Sequence, residues 1–444
     1  MTSQNAASLT PIESDFYGTR TPTLLLFSRR GQAGYYDLFD NGGNYNACIA
    51  GASGSGKSVF TNEFAVSIVS TGGKVRIIDV GRSYQNTCQK LGGQFIEFSR
   101  NTTLSLNPFS KITNIKEELE ILSPLFGQMV SPSKDLDDWE KQTLERTIEE
   151  VFVVHGTKTT IDDIASALKA HEDIRGRDLG TQLFSYTSVG RRGKFFMGEN
   201  NCDFNNPLVL LELEELKSDP DLQKVILLLI LYNIGQEVYF SDRNSRIVVI
   251  IDEAWSLLGD GPAAKFIETA YRRFRKYGGA IITVTQGIND FYKSAATRAC
   301  FENSDWMFLL AQKPESINAL KESGRVDLSP AEFNMLSTVH TISGQYSEIF
   351  VSCKDLGRSI GRMYIDPFSY WLYTTNPREH ALREAFLALN LPLDNAIEAC
   401  IGSKDEMAGA LKDGCTVEQA VLRCVRKYPG NSRGENKPRE LIHG

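Results

Sequence analysis

An α/β fold with a mainly parallel sheet, covered on both faces, is predicted by three observations. Apolar strand-like runs alternate with helix-length segments, at residues 45–50, 75–80, 94–98, 207–213, 246–251 and 280–285. Parallel strands buried on both faces read as near-continuous apolar runs of this kind. The first run leads into Gly51-Ala52-Ser53-Gly54-Ser55-Gly56-Lys57-Ser58, and residues 59–70 then read as a helix. The run at 246–251 ends in the paired acids Asp252-Glu253.

The 51–58 stretch fits G-x-x-x-x-G-K-[ST], the phosphate-binding loop of P-loop NTPases. Its spacing has a physical cause. Glycines let the backbone curl so that successive N–H groups face phosphate oxygens, and the following helix adds its positive end. Lys57 can reach the β- and γ-phosphates of ATP, and Ser58 can place its hydroxyl on Mg²⁺. Residues 51–59, ending with Val59 in the first helical turn, are the expected nucleotide-binding set. A chance Gly/Ser loop would lack the strand before it and the helix after it.

Composition narrows the class. The chain has 444 residues, 41% hydrophobic and 23% charged, which describes a globular protein with room for two or three domains. A formal net charge of −7 offers no global field for nucleic acid, although a local basic pore lining is compatible with it. Eight scattered cysteines form no C-x-x-C pair and the five histidines show no ligand spacing, which argues against zinc and fits reduced thiols. Residues 1–13 carry no secretory pattern, and the longest apolar run, 225–231, is far shorter than the roughly 20 residues of a membrane span.

In order, residues 1–20 read as a polar leader. Residues 21–112 form a first core part, opening with two short strands near 23–27 and 34–39 and carrying the phosphate loop. Gly72-Gly73 marks the stop of the loop's helix. From 113 to 200 the periodicity turns helical. Trp139, Leu144, Ile148, Val151 and Phe152 are spaced along one face, Asp137 and Lys141 stand at i, i+4, and Thr160-Ile161-Asp162-Asp163 reads as a capped helix start. Only residues 151–154 are ambiguous between strand and helix. Residues 201–375 return to α/β, with a buried helix near 221–236, a basic helix 263–277, a strand at 306–310, and late antiparallel strands near 346–351 and 361–365. Residues 376–444 read as helices and a loose tail.

Asp252-Glu253 has the form of a Walker B strand end. Asp252 would hold Mg²⁺ and Glu253 would polarise the attacking water. Thr285-Gln286 ends the next strand, where Gln286 can hydrogen-bond a γ-phosphate. Arg272-Arg273-Phe274-Arg275-Lys276 lies on the preceding helix. Such runs are mostly solvated, but in ring ATPases an arginine can reach a neighbour's γ-phosphate. Arg275 heads the candidates for this role, with Arg272 and Arg273 beside it and Arg358 and Arg362 on the late segment.

With GASGSGKS, IIDEAW, RRFRKYGG leading to TVTQ, and ENSDWMFLLAQ in this order, the chain resembles the TraC-type ATPases of conjugative type IV secretion systems from about residue 27 to 377. More distantly it is similar to HerA/FtsK-like ring translocases. The resemblance implies a RecA-like core with an all-α subdomain, and ATP hydrolysis with Mg²⁺ at the interfaces of a hexamer. It implies docking at the cytoplasmic face of inner-membrane secretion-channel proteins, beside coupling or other secretion ATPases, in support of pilus biogenesis or substrate transfer. It also implies a large N-terminal domain ahead of this core, so the chain is expected to be the C-terminal ATPase half. Two other readings share these motifs. A DNA-pumping translocase would show salt-sensitive, DNA-stimulated hydrolysis, and a nucleotide-dependent scaffold would keep its function when hydrolysis is lost.

Overall fold

A computed structural model describes residues 18–99, 102–241, 245–253 and 262–428, with side chains from 264 onward in the last segment. Most of the polar leader, Ala254-Trp255 and the tail from 429 lie outside the described residues. The described strands are β1 (Leu24–Phe27), β2 (Ala33–Tyr36), β3 (Ala47–Ala50), β4 (Lys74–Asp79), β5 (Gln94–Glu97), β6 (Leu208–Glu212), β7 (Ile247–Asp252), β8 (Gly279–Thr285), β9 (Trp306–Leu309), β10 (Thr341–Ile342), β11 (Tyr346–Cys353) and β12 (Gly357–Met363).

They form one sheet in the order β2-β1-β12-β11-β9-β3-β8-β7-β4-β6-β5, with β10 paired to β11. From β9 to β5 every pairing is parallel. From β9 outward to β2 every pairing is antiparallel. The carboxyl ends of the parallel strands share one edge, where open α/β sheets bind ligands.

Alternation along each strand splits the core between two faces. Val248 and Ile250 of β7 join Phe60, Phe64 and Ile68 of the helix Lys57–Ser70 on one face. Ile247, Val249 and Ile251 join Val225, Ile226 and Leu229 of the helix Pro220–Phe240 on the other. That second core runs on into the helices between 115 and 182 through Leu122, Phe126, Leu144 and Ile148. The helix Pro220–Phe240 is apolar around most of its circumference because it is buried without a break from Val225 to Ile234. No described helix is long and apolar enough to cross a membrane.

One local ambiguity is resolved and one expectation changes. Residues 151–154 belong to the helix Asp138–His155, where Phe152 packs on Phe109 while Val153 and Val154 face outward. Asp137 does not pair with Lys141. It caps that helix, accepting from the Glu140 amide, and Lys141 lies 3.7 Å from Glu145 instead. A carboxylate at the N-terminus gains more from orphan amides than from an exposed ion pair. Thr160 and Asp163 form the reciprocal capping box that starts the helix Ile161–Lys169.

Arg76 sits in mid-strand on β4, fully buried. Its guanidinium donates to Glu237 at 2.9 and 2.7 Å and to the carbonyls of Asn206 and Phe204. Removing one partner of such a pair strands a buried charge, whereas replacing both with apolar groups is often neutral. Glu237 keeps 18% of its side chain exposed and also meets Lys74, so the effect is discounted. Glu237→Ala is expected to destabilise the chain by about 2–3 kcal/mol in chemical denaturation. Arg76→Met with Glu237→Leu should recover most of the loss. A Glu237→Ala midpoint equal to wild type would show that the carbonyls alone satisfy Arg76.

Candidate active site

The phosphate loop is held at the shared carboxyl edge by the strands flanking β3. Gly51 N–H donates to the carbonyl of Thr285, the last residue of β8, at 3.2 Å, and Ala52 N–H to the Ala311 carbonyl beyond β9 at 3.0 Å. Gly54 and Gly56 have φ of 78° and 91°, a left-handed backbone that favours glycine. A Cβ on Gly51 would come within 2.5 Å of Ser55 Oγ, and one on Gly56 would strike Ser347 Oγ. The helix from Lys57 has no side-chain cap on its first turn, leaving those amides to an anion. Ser55 Oγ is buried without a hydrogen-bond partner. An uncapped helix start, a cradle closed to side chains and an orphaned hydroxyl together fit a bound phosphate chain.

Lys57, Asp252, Glu253 and Gln286 converge above this cradle. Lys57 Nζ is 2.8 Å from Glu253 Oε1 and 3.5 Å from Asp252 Oδ1. Gln286 Nε2 donates to both Glu253 oxygens, at 3.2 and 3.1 Å. Glu253 has φ of 58°, an uncommon conformation for a non-glycine residue. Burial pushes the Lys57 ammonium down, but Asp252 and Glu253 overcome it and hold the group above its ordinary range. Burial pushes Glu253 up, yet contact with Lys57 leaves it below the usual carboxylate range. Asp252, fully enclosed, is raised by burial against the pull of Lys57 and Tyr84.

Ser58 and Asp252 are the expected Mg²⁺ side. Among the described residues no group of three His, Cys, Asp or Glu side chains converges as a protein metal cage. One hydroxyl and one carboxylate suit Mg²⁺, which keeps waters and takes phosphate oxygens for the rest of its shell.

Several residues at the site were not picked out from the sequence. The cleft over the phosphate loop has a volume of about 720 Å³, walled by β10–β11 residues such as Thr341 and Ser347 and by Tyr370, Asn376 and Lys404 of the C-terminal helical part. Thr341 Oγ1 donates to the Ser55 carbonyl at 2.7 Å, clamping that hairpin onto the loop. Asp79, at the end of β4, stands beside Asp252. Burial pushes it well above the carboxylate range, and Asp252 and Glu212 add to the push. A carboxylate closing an apolar strand was the signal for Asp252, and Val75-Arg76-Ile77-Ile78-Asp79 carries the same signal.

The arginines separate by position. The helix Pro262–Lys276 returns from the carboxyl edge to the start of β8, so Arg272, Arg273 and Arg275 lie at the end of the sheet away from Lys57. Arg272 pairs with Glu268, and Arg273 joins Glu118 at 3.2 Å. Arg275 is exposed and has no ion pair among the described residues. Arg358 pairs with Glu332, and Arg362 with the buried Glu348.

The fold and this edge define a P-loop NTPase with a RecA-like core. The chain belongs to the TraG P-loop domain family, whose model matches residues 38–155 and 169–403, and its similar proteins include TraC and VirB4 proteins. It is 29% identical to Protein TraC of Escherichia coli strain K12 over 393 residues, which is 84% of this chain and 44% of that protein. The chain thus spans under half the length of this relative. The solved structure of VirB4 of Thermoanaerobacter pseudethanolicus is 24% identical, covers 79% of this chain and 99% of its own, and superposes with a TM-score of 0.63. The plasmid coupling protein TrwB, solved with a non-hydrolysable ATP analogue, shares the fold at 15% identity, with a TM-score of 0.50 over 72% of this chain and 85% of its own.

Proposed function

We propose that this chain is the ATP-hydrolysing part of a conjugative type IV secretion motor, driving pilus biogenesis, substrate transfer or both. The convergence of Lys57, Asp252, Glu253 and Gln286 on the phosphate loop carries this reading. The family and the likeness to TraC support it.

Residues 51–59 would bind the triphosphate through backbone amides, with Lys57 leaving Glu253 for the β- and γ-phosphates. Ser58 and Asp252 would hold Mg²⁺, which supplies positive charge between those phosphates. Water then attacks the γ-phosphorus in line, the bond to the bridging oxygen breaks, and ADP and phosphate form. Glu253, released by Lys57, orients that water and takes its proton. Gln286 holds the Glu253 carboxylate, so it follows the γ-phosphate through Glu253 as well as by direct contact. Arg275, distant from its own loop, would complete the site of a neighbouring copy in a ring, expected to be a hexamer at the cytoplasmic face of an inner-membrane secretion channel.

Phosphate release from ATP by the purified chain tests this reading. Release should require Mg²⁺, and rate per mole of chain should rise with protein concentration as neighbours assemble. Mixing Lys57→Ala with Arg275→Ala should restore part of the activity that each lacks alone. A concentration-independent rate would mean that one chain completes its own site. No release at any concentration would overturn the assignment as a hydrolase.

A further inference from the structure

The buried hydroxyl of Tyr84 is the feature the mechanism leaves unused. Tyr84 is fully enclosed, and its hydroxyl lies 2.7 Å from Asp252 Oδ2 and 2.7 Å from Thr61 Oγ1. Thr61 stands one turn into the phosphate-loop helix, where its hydroxyl also reaches the carbonyls of Lys57 and Ser58 at 3.1 and 3.2 Å. A phenol carries one proton. With Asp252 ionised, that proton goes to the carboxylate, and the Thr61 hydroxyl shares its own single proton between the phenol oxygen and the two helix carbonyls. One hydroxyl therefore joins the end of β7 to the helix bearing Lys57 and Ser58.

The loop that carries Tyr84 is built at evident cost. Asp79 accepts from the amides of Val80 at 2.9 Å and Ser83 at 2.6 Å. Glu212, buried at the end of β6, accepts from those of Gly81 at 3.3 Å and Arg82 at 2.9 Å. Arg82 is held at φ of 59°, in the left-handed region. Two buried carboxylates and a strained residue thus fix residues 80–84 against the sheet edge. A tyrosine that merely filled the core would need one partner for its hydroxyl, and Thr61 alone would serve. Instead the ring is brought to within hydrogen-bond reach of Asp252.

The geometry points to Tyr84 as a positioning residue for the Mg²⁺-side carboxylate. By occupying Oδ2 it fixes the rotation of the Asp252 side chain and turns Oδ1, which faces Lys57 at 3.5 Å, toward the phosphate loop. Thr61 ties the same hydroxyl to the helix that carries Ser58, so the two expected metal-side groups keep a constant separation. This inference rests on the reading of Asp252 as the Mg²⁺-side residue.

The test titrates Mg²⁺ into the full chain with a fluorescent non-hydrolysable ATP analogue, reading metal-dependent binding without turnover. In Tyr84→Phe the Mg²⁺ midpoint should rise about tenfold, as for other partners that orient a metal ligand. Analogue affinity without metal should stay at the wild-type value, while the metal-free melting temperature should fall only by what the lost buried hydrogen bond accounts for. Thr61→Val, which removes the anchor and spares the core, should move the midpoint the same way by a smaller factor, and it decides the matter if Tyr84→Phe does not fold. Asp252→Asn separates the two levels. If it shifts the midpoint while Tyr84→Phe and Thr61→Val do not, Tyr84 has no positioning role. If Asp252→Asn itself leaves the midpoint unchanged, the reading of Asp252 fails and the inference falls with it.

Discussion

Glu253→Gln is expected to cut ATP turnover by about 10²–10⁴-fold, the usual contribution of a positioned general base, while nucleotide binding survives. The substitution keeps size and shape and removes only charge and basicity. Binding should strengthen modestly, because Lys57 stands 2.8 Å from Glu253 and must leave it to meet phosphate. An amide holds the ammonium less firmly than a carboxylate does. The same contact sets the pH behaviour. Lys57 holds Glu253 below the usual carboxylate range in the nucleotide-free chain. Once Lys57 turns to phosphate, burial pushes Glu253 upward, so the acid limb of kcat should lie at higher pH than titration of the free chain indicates. Undiminished turnover by purified Glu253→Gln would remove Glu253 from the mechanism.

Lys57→Ala should abolish turnover and weaken nucleotide binding by about 10–100-fold, the loss of a charge-assisted contact worth roughly 1.5–3 kcal/mol. Its effect on the free chain is as diagnostic. Lys57 is the cation shared by Asp252 and Glu253, with the buried Asp79 beside them. Without it, burial acts on Asp252 against Tyr84 alone, and the carboxyl should take up a proton at higher pH than in wild type. Proton release on unfolding, greater than in wild type, and equilibrium binding of an ATP analogue check both parts. Wild-type affinity in Lys57→Ala would show that backbone amides alone carry the phosphate chain.

The sequence by itself determined the parallel sheet, the order of its strands along the chain and the phosphate loop. These rest on local signals: unbroken apolar runs, glycines where the backbone must turn left-handed, and carboxylates closing buried strands. Lys57 and Asp252 were recognisable singly because each sits in a motif a few residues long. Their sharing of one sheet edge followed from the two motifs, but the ion pairs of Lys57 with Asp252 at 3.5 Å and with Glu253 at 2.8 Å were not recognisable, since they depend on β3 and β7 lying two strands apart in one sheet. Pairing order is a property of the folded chain, and residues 113–200 separate the motifs without marking it.

Only the tertiary structure decided the rest of the site. The β10–β11 hairpin and the C-terminal helices close the cleft through long-range contacts, such as Thr341 to Ser55, that no periodicity encodes. Arg76 interrupts an apolar strand, yet it is satisfied by Glu237 from a helix far along the chain. Arg275 headed the candidates of its basic run, and only the folded chain sets it apart by contacts: among the described residues Arg272 and Arg273 find carboxylates and it does not. Tyr84 lies in no motif of the sequence, and only folding sets its hydroxyl against Asp252. The physical reason is common to all of these. Backbone shape follows from neighbours in sequence, whereas a buried charge or hydroxyl is defined by the partner that satisfies it, and that partner is chosen in space.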